Sequence, residues 1–335
     1  MKKILNLVLI FFISLSLLAC EMSNETNIDT DSKDEQSLNL IKKQFTMYQI
    51  MTKHSEMNEC DYEYLYFGSY PQHEITDQNI VSQLEKLKEN SQGYIEYRNR
   101  LFVKFTVEYN FQHVSQGQEG DEVFYETTGF WPNTTHYFIV EPICWLVLKN
   151  DNGTLTLISE EILNSRQFNS HTETRVIDGK EIYPSNYGYS DIREWLNNDF
   201  YNIAFTSKEK EMIQEVTNSN KCLSNFLTSI EEAEDTQDLV YLASYQDVTN
   251  REYGFLKDPI CDASRLCHAT DFALAHGLIN HKYGEYYTSV WALRNAHEFI
   301  REYMSDVAED GRATDYFFVD SPNIGTRPMM TIILK

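Results

Sequence analysis

The chain has 335 residues and carries 28 Lys and Arg against 51 Asp and Glu, a formal net charge of −23. Nucleic-acid binding needs a basic face, and an anionic bilayer repels so acidic a body, so neither partner is expected for the folded part. The acids read as a solvated surface, because Ca²⁺ ligation needs an organised loop such as the EF-hand pattern, which is absent.

The first informative element is N-terminal. Lys2 and Lys3 precede an apolar run from Ile4 to Leu18, which closes on Leu17-Leu18-Ala19-Cys20. Positive charge, a greasy segment and small residues before a cysteine describe an export signal whose removal leaves Cys20 as the new N-terminus. The motif resembles a bacterial lipobox, in which that cysteine is lipidated. The run, about 16 residues, is shorter than the ~20 a membrane-spanning helix needs. Membrane attachment is therefore expected through the lipid on Cys20. Cleavage removes two lysines and no acid, leaving the mature chain at −25. Residues 21–37 have little to bury and are expected to stay disordered. Leu38, Ile41, Phe45 and Tyr48 recur at helical spacing and suggest a short helix. The expected plan is residues 1–19 as signal peptide, 20–61 as lipidated cysteine and flexible acidic tether, and 62–335 as a single α+β domain.

Along the body, Tyr64 to Phe67 predicts a strand, stopped by Gly68 and Pro71. Thr76 caps a helix in which Ile80, Leu84 and Leu87 share a face. Leu101, Val103, Phe105 and Val107 alternate as in a strand with one buried side. Phe138 to Lys149 is an apolar run broken at Pro142, and Leu155 to Ile158 is another. Asn152-Gly153 between them is a strong hairpin signal, and apolarity on both faces makes this hairpin central. Ser190 caps a helix with Ile192, Trp195 and Leu196 inward, and Thr206 with Glu209 forms a capping box. Asp238 to Ser244 reads as a strand, and a helix stops at Gly277. The chain finishes in strands over 289–294, 316–319 and 329–334, with an Asp310-Gly311 turn. A mixed, mainly antiparallel sheet with flanking helices is an α+β fold. The aromatics, 13% of the chain, must fill its core or line a cleft.

With Cys20 lipidated, Cys60, Cys144, Cys222, Cys261 and Cys267 remain, an odd set that cannot pair completely. Cys144 reads as a buried small hydrophobe. Cys261 and Cys267 are close enough in sequence to pair. Together with His268 they lack the CxxC or HxxxH spacing of a metal site.

Seven segments then carry a resemblance: YFGSYPQ at 66–72, FIVEPICWLVL at 138–148, REWLNNDFYNIAFTSKEKEMI at 193–213, DLVYLAS at 238–244, RLCHATDFALAHG at 265–277, VWALRNA at 290–296 and IGTRPMMTIIL at 324–334. In this order they resemble the bacterial domain-of-unknown-function family DUF6273, over residues 64 to 334. The resemblance implies an exported or surface protein of gut or oral bacteria, with no activity established. The final WxLR and G-x-RP strands are similar to those of C-type-lectin-like and formylglycine-generating-enzyme-like folds. This chain departs from the family's W-L-R-S-P at Trp291-Ala292-Leu293-Arg294-Asn295, a shift of register.

No GxSxG, HExxH, P-loop or GxGxxG is present, so no catalytic residue, metal or cofactor is assigned. Arg193, Arg294 and Arg327 lie in apolar segments and need carboxylate partners, with Glu141 one candidate. Trp145, Trp195, Trp291, Arg294 and Arg327 are expected at or under the central surface, as ligand-binding or structural residues. The expected protein is a lipid-anchored component of the bacterial cell envelope, in the cell membrane or outer membrane and facing out of the cytoplasm. Its body is expected to be a non-catalytic binding or adhesion domain for a glycan or protein. The alternatives are an envelope enzyme of formylglycine-generating-enzyme type, using Cys261 and Cys267 with a metal, and a structural envelope protein.

Overall fold

The computed structural model describes residues 48–57, 60–110, 120–221, 234–297 and 299–334; the lipobox, Cys20, Cys222 and most of the tether lie outside them. Six strands begin the larger sheet: β1 (Met51–Ser55), β2 (Cys60–Glu74), β3 (Tyr94–Tyr97), β4 (Arg100–Thr106), β5 (Thr135–Asp151) and β6 (Thr154–Ser159). They run antiparallel in the order β1-β2-β5-β6, followed by the C-terminal strand Pro328–Ile333 and then Ile213–Gln214. β4 branches from β5 and carries β3, while Val240–Leu242 also pairs with Pro328–Ile333.

β2 and β5, at 15 and 17 residues, outrun the stops that Gly68, Pro71 and Pro142 suggest in the sequence. The ladder absorbs them as irregularities: Pro142 stands opposite Ser69 beside a register shift, where its missing amide donor is tolerated. Gly68 has φ +67, and a Cβ there would sit 2.6 Å from the Phe205 ring. Its N–H donates to Glu209 Oε1 at 3.0 Å, and Glu209 also completes the Thr206 capping box. One buried carboxylate thus joins β2 to a helix start. In the β5–β6 hairpin, Asn152 and Gly153 both have positive φ, as the Asn-Gly signal requires.

A second sheet has five strands in the order Ala313–Phe318, Tyr303–Val307, Trp291–Ala296, Gly325–Thr326 and Asn164–Ser165. Its ladder shifts register between Ala292 and Ala296, across the segment where the sequence leaves the family pattern. A contiguous core runs from Leu65 and Trp145 through Leu242 to Trp291 and Ile332, so the two sheets share it. The fold is α+β with mainly antiparallel sheet.

The segment that matters most follows Ser190, whose hydroxyl accepts from Arg193 N and caps the helix Asp191–Trp195. The helix widens into a π turn over Leu196–Phe200 and resumes as Tyr201–Ala204. Inserted π turns often mark functional positions, because the extra residue redirects the side chains around it.

Candidate functional site: a polar groove over Arg193

Beside this helix lies a groove of two connected lobes, with cavity volumes of about 500 and 370 Å³. Gly188, Tyr189, Arg193 and Gln237 line both lobes. Each volume falls within the range of small-ligand sites.

Arg193 makes the floor. Its Nε donates to Asp238 Oδ1 at 2.6 Å, Nη1 to the Gly188 carbonyl at 3.1 Å and Nη2 to the Gln237 carbonyl at 3.0 Å. Asp238 is fully buried and also accepts from Thr236 Oγ1 at 2.5 Å and Asn218 Nδ2 at 2.9 Å. A buried carboxylate with three donors, one of them a cation, is well compensated. Asn197, on the π turn, donates to the carbonyls of Arg193 and Val240 and accepts from the Leu239 and Val240 amides. The amide of one side chain thereby ties the helix to the strand Val240–Leu242. Burial, then the Asp238 carboxylate, pushes the hydroxyl of the buried Tyr187 well above its usual value, so it stays neutral behind the floor, where it accepts from Leu242 N at 3.3 Å.

The rim differs from the floor. Tyr189 is exposed, and the side chains of Glu194, Asn198 and Glu215 make no hydrogen bond among the described residues. Among the described residues the Gln237 side chain reaches only Thr217, at 2.8 Å. Around the second lobe Glu181, Asp235 and the Lys180–Glu234 ion pair add further acid. The arginine charge is spent internally and the rim is net acidic. The groove therefore disfavours anions and offers amides, carboxylates and a phenol to neutral, hydroxyl-bearing groups.

The residues singled out by sequence fall elsewhere. Trp145 is wholly buried and donates to the Phe67 carbonyl at 2.7 Å. Trp195 packs inward against Phe200, with Arg166 over its ring at 4.7 Å. Trp291 donates to the Arg265 carbonyl at 3.2 Å and carries Arg327 over its ring at 4.9 Å. Arg294 pairs with Asp247 at 3.0 Å and donates to the Leu242 carbonyl at 2.8 Å. Arg327 donates to the Ser159 carbonyl at 2.9 Å and, among the described residues, has no carboxylate partner. These five are interior residues and do not converge on the groove. Among the described residues Glu141 serves none of the arginines; its hydrogen bond to His73, at 2.5 Å, lifts that imidazole to about 9.

Cys261 and Cys267 are both free thiols. Cys261 is exposed against Asp310, whereas Cys267 is buried and donates to the Glu160 carbonyl. Burial pushes the Cys267 thiol up to about 12, which keeps it protonated. Cys144 is half-buried in β5. No cluster of three or more metal-ligating side chains occurs among the described residues.

Sequence reasoning missed Asp238 and Arg265. Asp238 was visible as an acid heading an apolar strand. Arg265 is wholly buried, and its guanidinium donates to the carbonyls of Gly311, Val248, Leu256, Asp258 and Ile260. It gathers the loop before it as a bound cation would. Arg265-Leu266-Cys267 carries the same signal as Arg193, a cation inside an apolar segment.

No curated protein and no solved structure matches the chain. A family model, the domain of unknown function DUF6273, matches residues 152–334. The match is shorter than the 64–334 suggested by the motifs, since YFGSYPQ and FIVEPICWLVL precede it. It nevertheless takes in the groove, Arg265, Arg294 and Arg327, over more than half of the sequence, and the chain belongs to the DUF6273 family.

Proposed function

We propose that this protein is a lipid-anchored component of the bacterial cell envelope, and that its body is a non-catalytic binding domain which takes a glycan in the groove over Arg193. The lipobox ending at Cys20 supports the anchor. No helix among the described residues is long and apolar enough to cross a membrane, so the lipid is the membrane contact in this reading.

The observation that carries the binding function is the contrast between floor and rim. Every donor of the Arg193 guanidinium fork that touches the frame is committed, which makes the groove preformed. The Asn198 amide, the Glu194 and Glu215 carboxylates and Tyr189 are free to exchange water for sugar hydroxyls, and tyrosine adds rigid contact area. The net acid around both lobes selects a glycan without acidic groups. The body is read as C-type-lectin-like, supported by the parallel pairing of Trp291 with Gly325 that joins the WxLR and G-x-RP segments.

Full-length lipidated protein in detergent, applied to glycan and peptide arrays, tests the binding. Non-acidic glycans should be retained; no retention at millimolar ligand overturns the proposal, and retention on peptides alone reassigns the groove to protein adhesion. For the anchor, Cys20→Ala should abolish incorporation of labelled fatty acid and release the protein from the membrane fraction.

A further inference from the structure

Of the four tryptophans, three are buried and Trp131 is 43% exposed. Its indole stacks on Tyr125, with ring centroids 4.5 Å apart and planes 10° from parallel. Tyr125 is 41% exposed. Neither the Trp131 indole N–H nor the Tyr125 hydroxyl has a hydrogen-bond partner among the described residues. A pair of large rings this open to water is a feature of binding surfaces rather than of ordinary packing.

The stack is held from both sides. Tyr125 lies on the helix Asp121–Thr128, which ends at Gly129 with φ 83 and a bond from Gly129 N to the Tyr125 carbonyl. Thr128 Oγ1 donates to the Phe124 carbonyl at 2.7 Å and accepts from Phe130 N at 3.1 Å, fixing the turn. After Trp131, Thr134 Oγ1 donates to the Trp131 carbonyl at 2.5 Å, and Asn133 N bonds the Val107 carbonyl at 2.8 Å. The rings are thus positioned before anything binds, which lowers the ordering cost of an encounter.

Charge says what suits them. Asp121 and Glu122 precede Tyr125 by four and three residues on the same helix, so they share its face, and both are exposed. Residues 105–148 contain six acids and no Lys or Arg. A flat π surface beside carboxylates attracts a planar organic cation: the ring quadrupole holds the charge from below, and the carboxylates accept its N–H groups.

We propose that the Tyr125–Trp131 stack, with Asp121 and Glu122, is a docking site for arginine side chains of a basic peptide segment on a partner protein. The site is separate from the groove over Arg193 and does not depend on the glycan reading.

The test uses full-length protein and hexa-arginine as probe, with hexa-glutamine as uncharged control, titrated calorimetrically at low and high salt. Because the whole body is acidic, the deciding variant leaves charge unchanged. Trp131→Ala should weaken hexa-arginine binding by about fivefold or more, the loss of a well-formed cation–π contact. Asp121→Asn with Glu122→Gln should weaken it more than the same charge change at exposed Glu63 and Asp151. Thermal unfolding of each variant shows that the fold is retained. Equal affinity in wild type and Trp131→Ala overturns the proposal, as does a Trp131-dependent response to neutral oligosaccharides in place of the peptide.

Discussion

Replacing Asp238 by Asn tests the frame on which the groove rests. The Asp238 side chain is fully buried, and the Arg193 side chain that it holds at 2.6 Å is only 27% exposed. Thr236 and Asn218 also donate to it. An asparagine keeps the shape but offers a single acceptor oxygen, and turns an NH₂ group toward atoms that are themselves donors. Breaking a buried ion pair costs about 3–5 kcal/mol. Water reaching the open side of Arg193 reduces this to about 2–4 kcal/mol. At about 2–4 °C per kcal/mol for a body of this size, Tm should fall by about 4–16 °C. Thermal and urea unfolding of full-length protein measure it. Adding Arg193→Gln should recover part of the loss, because the unpaired cation is then gone. A loss below about 1 kcal/mol, or no recovery in the double variant, refutes the assignment of Asp238–Arg193 as the frame.

Three further outcomes follow from the same structure. Arg265→Lys replaces a five-donor fork by three donors on one nitrogen, leaving at least two of the five carbonyls without their partner. It should cost about 3–5 kcal/mol and raise hydrogen exchange over residues 249–262; unchanged exchange there contradicts the cage. Gly68→Ala puts a Cβ at φ +67 and 2.6 Å from Phe205, and should destabilise by about 2–4 kcal/mol in urea unfolding. His276 donates from Nδ1 to the Phe272 carbonyl at 2.8 Å, and burial drives it down to about 4. Its unfolded value is about 6.5, so acid favours the unfolded chain, and up to about 3 kcal/mol present above pH 6.5 is lost as pH falls toward 4. His276→Asn, which keeps a donor for Phe272, should lack that part of the slope; an unchanged pH profile rejects it.

Much of the fold was legible because its signals are local. The Asn152-Gly153 turn, the Thr206–Glu209 capping box, the Ser190 cap and the Gly277 stop all lie where their chemistry places them. The lengths of β2 and β5 were not legible, because Gly68, Pro71 and Pro142 are local breakers overridden by a long-range ladder. The buried arginines were visible as cations in apolar segments, but their partners were not. Asp247 lies 47 residues from Arg294, and Asp238 lies 45 from Arg193. The groove was illegible for the same reason: its walls come from segments near 188, 197, 215 and 237, and no short motif links them. The tryptophans drew attention by size, and size is what sent Trp145, Trp195 and Trp291 into the core.

The central claim is that the groove over Arg193 holds a glycan. Its most direct test is to follow the side-chain amide resonances of Asn197, Asn198 and Gln237 by NMR while a non-acidic oligosaccharide retained on the array is titrated into the full-length protein. The account predicts that the Asn198 and Gln237 amides shift in proportion to occupancy, and that Asn197, already held by the Arg193 and Val240 carbonyls, moves little. Binding that leaves all three amides unmoved contradicts it.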